Sequence, residues 1–137
     1  MIFRSAIATL LVFCAATPVL AQAGRRPVIT ASTPTPDDRA KQWLVLVDDK
    51  NYSASWMQSG KAFQGRQKAD VWAKDAGIRR EPLGAVASRG LKSIDLSRSD
   101  VAVIRYDTVF AHKAAAVETV TLSFENGSWV VTDYSVT

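Results

Sequence analysis

The sequence predicts an α+β fold: N-terminal helices packed on a curved four-stranded antiparallel sheet, a cone with one open end. Three observations predict it. Ala40, Trp43, Leu44 and Val47 fall at i, i+3, i+4 and i+7, one apolar stripe along a helix. The run from Val101 to Val136 divides into three segments dominated by Val, Ile, Thr, Tyr, Phe and Trp, with short polar breaks between them. Asn126-Gly127, between the last two segments, signals a tight hairpin. Helices first and strands afterwards is the order expected when helices collect on one face of an antiparallel sheet.

Residues 1–23 read as a secretory signal peptide. Met1 to Arg4 supplies a short positive start, and Ser5 to Ala16 is an apolar run too short for a membrane span. Pro18 breaks it, and Ala21-Gln22-Ala23 has the small-x-small pattern of a cleavage site, with cutting after Ala23 or Ala21. The expected location is periplasmic or secreted, with no stable membrane span. The only cysteine is Cys14, and Val12-Phe13 before it are not the small residues of a lipobox. Residues 24–137 therefore hold no disulfide, no thiol chemistry and no Cys-based metal site. Residues 24–35, GRRPVITASTPT, have no apolar period and read as a flexible leader. The net charge of +4 is spread along the chain, which gives no nucleic-acid footprint. Residues 36–137 are expected to form a single domain, and a domain of this size buries roughly 65% of its unfolded surface, enough for one core.

Thr35-Pro36-Asp37-Asp38 starts the first helix: a capping hydroxyl, a proline suited to the first position and two acids at the positive end of the dipole. That helix is expected over about Pro36 to Asp48. A second should run from Tyr52 to about Phe63, with a kink or break at Gly60. A third is expected from about Gln67 to Ala76, with Ala69, Trp72, Ala73 and Ala76 inward and Gly77 as its stop. Ile78 to Ala85, with Pro82 and Gly84, reads as the connection to the sheet. Val86 to Leu96 is the first strand, interrupted by Ser88, Arg89, Gly90 and Lys92, and Ser97 to Asp100 is a turn. Val101 to about Ala111 follows, with Ile104, Tyr106 and Phe110 on one face and Arg105, Asp107 and Val109 on the other. After the break at His112-Lys113 a strand is expected through Phe124; the rival is a helix from Phe110 to Glu118, since Ala114-Ala115-Ala116 favours one. Trp129 to Val136 closes the sheet.

Several residues carry a resemblance. Trp43-Leu44-x-Leu46-Val47-Asp48, Tyr52-x-x-Ser55-Trp56, Trp72, Arg79-x-x-Pro82-Leu83-Gly84-x-x-x-Ser88-Arg89, Tyr106-x-x-x-Phe110, Glu118-x-Val120-x-Leu122 and Trp129-x-Val131-x-x-Tyr134 resemble the bacterial secreted family catalogued as domain of unknown function 4019 (DUF4019). The resemblance covers about residues 36 to 137. It implies a Gram-negative periplasmic or secreted protein, and it carries over no catalytic residue because the family has no established activity. The chain departs from the family's pattern between Leu96 and Val101, where that pattern has a longer Pro/Gly-containing loop and this chain has only SRSD. More distantly, the order of elements is similar to nuclear-transport-factor-2-like and cystatin-like cones. Such cones host isomerases, dehydratases, ligand binders and dimerisation modules, so the fold does not choose among them.

The most informative polar residue is Glu118. Strand alternation puts it on the apolar face with Val120, Leu122 and Phe124, where a carboxylate is desolvated unless paired. Arg89 shares a face with Ala87 and Leu91, so Arg89 and Glu118 are expected to meet inside the cone, as a buried ion pair or as an anchor for a ligand carboxylate. The plainer alternatives are a structural pair, or a glutamate at the strand end reaching water. The candidate ligand-binding set is Glu118, Arg89, Tyr106, Trp56, Trp72 and Phe110; core packing is the plainer reading of Trp43, Trp56 and Trp72. His112, the only histidine, sits in a turn with no clustered ligands and does not make a zinc site. No catalytic residue, metal or cofactor is expected. The leading reading is a non-enzymatic module binding a small, partly apolar ligand in the cone or a periplasmic protein. The alternatives are a cone-type isomerase or hydrolase using Glu118 as acid or base, and a structural homodimer pairing through Thr119, Thr121 and Ser123.

Overall fold

The computed structural model describes residues 32–137, and the expected signal peptide and most of the expected leader lie outside them. The described chain runs α1 (Pro36–Asp48), α2 (Tyr52–Met57), α3 (Lys61–Arg66), α4 (Ala69–Arg80), a 3-10 turn (Glu81–Leu83), then β1 (Val86–Arg98), β2 (Val101–Phe110), β3 (Lys113–Glu125) and β4 (Ser128–Val136). The four strands form one antiparallel sheet in the order β1-β2-β3-β4. No helix among the described residues is long and apolar enough to cross a membrane.

α1 begins as its sequence dictates. The Asp38 amide donates to the Thr35 side chain at 3.2 Å and the Thr35 amide donates back to the Asp38 carboxylate at 3.1 Å, so two orphan donors are satisfied at once. The stripe Ala40, Trp43, Leu44 and Val47 is buried. Asn51 caps α2. The break comes at Gly60, which caps α3 rather than kinking a longer helix. Its backbone lies against β4: the Gly60 amide donates to the Val131 carbonyl at 2.7 Å, and a Cβ there would sit 2.9 Å from Val130 Cγ2. The close approach needs glycine.

The expected stop at Gly77 is corrected. α4 continues one more turn to Arg80, which brings a buried arginine inward in line with Trp72 and Ala76. Pro82 and Gly84, with φ of 78°, end the helical run instead. β1 is longer than expected, and the turn shrinks to Ser99-Asp100. Three register irregularities, at Val86/Ser88, Leu91/Ser93 and Asp95/Arg98, account for its broken alternation. The rival helix over Phe110 to Glu118 does not form. Ala114-Ala115-Ala116 is extended within β3 against its helix propensity, between the β2 pairings of Lys113 with Phe110 and of Ala116 with Thr108. Asn126 and Gly127 turn the last hairpin with φ of 49° and 81°.

The core lies between the helices and the sheet. Trp43, Phe63, Trp72 and Tyr134 pack edge to face or tilted, with ring centroids 4.9 to 6.3 Å apart. Ile104, Tyr106, Val120, Leu122 and Val131 form its floor. The helices seal the β4 edge: besides Gly60, Arg39 donates to the Trp129 carbonyl at 3.3 Å and Arg66 to that of Thr132.

Candidate functional site

Strand alternation and the extra turn of α4 bring four charges to one place. Glu118 on β3 is completely buried. Its neighbours are Arg80 at the end of α4, Arg89 on β1, Thr108 on β2 and Tyr134 on β4, with Asp48 at the end of α1 closing the group. Arg89 Nε donates to Glu118 Oε2 at 2.7 Å, and its two terminal nitrogens grip Asp48 at 2.8 and 3.0 Å. Arg80 donates to Glu118 Oε1, to the Tyr134 hydroxyl at 2.7 Å and to Asp48 Oδ1. Tyr134 in turn donates to Glu118 Oε1 at 2.7 Å, and Thr108 to Glu118 Oε2 at 2.7 Å.

Each Glu118 oxygen thus accepts two hydrogen bonds, the full capacity of a carboxylate. Two carboxylates face two guanidiniums, so the group carries no net charge. Asp48 stands where the negative helix end disfavours an acid, and the arginines offset that; Arg80 stands where the same end favours a base. Burial works against the charge on Arg89, but Asp48 and Glu118 outweigh it and hold its pKa above the ordinary value. Burial likewise opposes Arg80, and Tyr134, Glu118 and Asp48 raise it in net. Burial, then the Glu118 carboxylate, pushes the Tyr134 phenol well up. Among the described residues no wholly buried side-chain nitrogen or oxygen lacks a hydrogen-bond partner.

Arg89 and Glu118 therefore meet as the strand faces imply, and they meet as an ion pair. Of the other candidates, Phe110 supports the cluster, with the Arg80 guanidinium 4.7 Å over its ring. Tyr106 lies opposite Glu118 in the sheet register, but its hydroxyl turns away and donates to Asp37 of α1 at 2.7 Å. Trp72 belongs to the aromatic core and donates to Ser55 Oγ at 2.9 Å, and Trp56 donates to the Gln67 carbonyl at 2.9 Å. The six do not line one pocket: where an open hollow was expected, the cone is filled by the ion cluster and the rings. Sequence reasoning missed Asp48, Arg80, Thr108 and Tyr134. Arg80 follows Ala76 by four positions and Trp72 by eight, Asp48 follows Leu44 by four, and Thr108 alternates with Tyr106 and Phe110, so these three sit on stripes visible in the sequence, whereas Tyr134 lies beyond a register shift in the β3–β4 pairing that alternation does not show.

Next to the cluster, at the mouth of the cone, lies a cleft of about 230 Å³. Val47, Asp48, Lys50, Tyr52, Glu81 and Ala85 line it, and Arg80 and Gly84 complete it. Tyr52 is 8% exposed. Burial, then the Glu81 carboxylate, raises its pKa. Among the described residues its hydroxyl makes no hydrogen bond, and Lys50 and Glu81 make no ion pair. His112 is exposed in the turn before β3. Among the described residues no group of three or more His, Cys, Asp or Glu is placed to hold a metal ion.

A sequence-family model described as a protein of unknown function (DUF4019) matches residues 39–134. No curated protein matches the chain. Among solved structures it is similar to a Campylobacter jejuni protein described as a candidate NTF2-like transpeptidase, at TM-score 0.56 and 15% identity over 72% of this chain and 97% of that one. It is also similar to an NTF-2 like protein of unknown function from Shewanella oneidensis MR-1, at TM-score 0.49 and 18% identity over 74% and 98%. The first likeness shows an NTF2-like fold and, at that identity, nothing about activity.

Proposed function

The chain belongs to the DUF4019 family of proteins of unknown function, and from that premise we propose that it is a non-enzymatic binding module that holds a small ligand at the mouth of its cone. One observation carries the reading: Glu118, the only fully buried carboxylate among the described residues, has both oxygens fully engaged. A general acid or base must reach the proton it transfers. Glu118 reaches only its own partners, which opposes the enzyme alternative. Tyr52, Lys50 and Glu81, unpaired among the described residues, line the rim cleft and are free to take a ligand. The signal-peptide reading of residues 1–23 supports a periplasmic or secreted location.

Native mass spectrometry of the purified protein tests the proposal. A small molecule carried through purification, lost in Tyr52→Phe and retained in Glu118→Gln, is the expected result. A molecule retained by Tyr52→Phe and lost in Glu118→Gln would place the ligand on the cluster and overturn the reading, as would a preparation that retains and binds nothing.

A further inference from the structure

We propose that the rim cleft takes a small aliphatic zwitterion, the chemistry of a free α-amino acid. The inference rests on the reading above that the ligand sits at the rim, and it adds the ligand's class. The first support is the Tyr52 hydroxyl. The residue is more than nine-tenths buried, its hydroxyl has no hydrogen-bond partner among the described residues, and no wholly buried polar atom is left unpaired, so this hydroxyl opens into the cleft. The hydroxyl is therefore the part of the residue that stays reachable, with its donor and acceptor capacity free for a ligand.

The second support is the pair of opposite charges on the two lips. Lys50 comes from the corner between α1 and α2, and Glu81 from the end of α4. Both lie in the cleft wall, yet they do not pair with each other or with any described residue. Asp48 and Arg80 between them are already committed to the buried cluster. What remains for a ligand is one cation, one anion and one phenol. A molecule with a carboxylate and an ammonium joined by a short link satisfies all three.

The corner that presents Lys50 is fixed. Lys50 adopts φ of 58°, and the chain there is held by the Lys50 amide on the Val47 carbonyl at 3.0 Å and the Asn51 amide on the Leu46 carbonyl at 2.8 Å. Val47, Ala85 and the Tyr52 ring supply an apolar wall for an aliphatic side chain. The volume, about 230 Å³, is below the roughly 300–1,000 Å³ of pockets for drug-sized ligands, which suits a molecule of amino-acid size. Exposed charges each add little alone, so discrimination arises from both lips acting on one molecule.

Calorimetric titration of the purified protein with L-leucine, 3-methylbutylamine and 4-methylpentanoate tests the class. The two analogues are leucine without its carboxylate and leucine without its ammonium. Leucine should bind at least tenfold more tightly than either. Lys50→Asn, which tolerates the left-handed backbone, should erase the advantage over the amine, and Glu81→Gln the advantage over the acid. Either analogue binding as tightly as leucine overturns the zwitterion. So does the absence of leucine binding. If a co-purified molecule is still lost in Tyr52→Phe, only the ligand class falls; if nothing binds and nothing co-purifies, the rim reading falls with it.

Discussion

Two polar regions meet at Asp48, and they are built in opposite ways. On the inner side, Glu118, Arg80, Arg89, Tyr134 and Thr108 form a closed set in which Glu118 has no hydrogen-bonding capacity to spare. On the outer side, Tyr52, Lys50 and Glu81 line the same cleft wall without partners among the described residues. Both regions contain acids, bases and a phenol. The difference is satisfaction: a completed network fixes the arrangement of helices on sheet, while an incomplete one at a surface is open to a ligand.

The largest expected effect breaks the inner set. Arg80→Ala leaves Glu118 and Tyr134 short of a partner in a dry site, and removing one member of a buried pair costs about 3–5 kcal/mol. Urea unfolding measures it. A loss below about 1 kcal/mol would mean that the cluster does not hold α4 to the sheet.

The next effect is smaller and depends on pH. Tyr134→Phe removes the hydroxyl that donates to Glu118 and accepts from Arg80, and should cost about 1.5–3 kcal/mol. The folded protein holds the Tyr134 proton more tightly than the ordinary tyrosine value of 10.0, and burial and Tyr106's own bond to Asp37 act in the same direction on Tyr106. The unfolded chain releases these protons near pH 10.0 while the folded one keeps them, so stability is complete below that pH and falls as pH rises beyond it. Unfolding midpoints between pH 8 and 11 should show the decline, and Tyr134→Phe should make it shallower. A flat profile in the native sequence would contradict the buried phenol.

On the outer side the effects on stability should be slight. Lys50 holds φ of 58°, a conformation that glycine adopts without strain, so Lys50→Gly should change stability by no more than about 1 kcal/mol, with the thermal midpoint rising if it moves. A large loss would show that the Lys50 side chain is part of the packing rather than free at the rim.

The inner region was half legible in the sequence. Alternation along β3 put Glu118 inward, and alternation on β1 put Arg89 beside it, because both rest on a period of two that a strand preserves locally. Arg80 was hidden by Gly77, read as a helix stop when the helix ends at the Pro82 turn instead. Asp48 looked like a helix terminus and nothing more, since its role depends on how α1 is laid across the sheet. The irregular alternation of β1 came from register shifts, which depend on pairing with β2 rather than on β1 alone. The filling of the cone was not legible either. Whether aromatic rings line a hollow or occupy it is set by packing distances that no periodicity contains.

Equilibrium unfolding of Glu118→Gln beside Tyr52→Phe tests the contrast most directly, because each change removes one polar function at nearly constant shape. Glu118→Gln should lose about 2–3 kcal/mol, where charged hydrogen bonds are given up in a buried site, and Tyr52→Phe should change stability by no more than about 0.5 kcal/mol. A neutral Glu118→Gln together with a costly Tyr52→Phe would contradict that contrast.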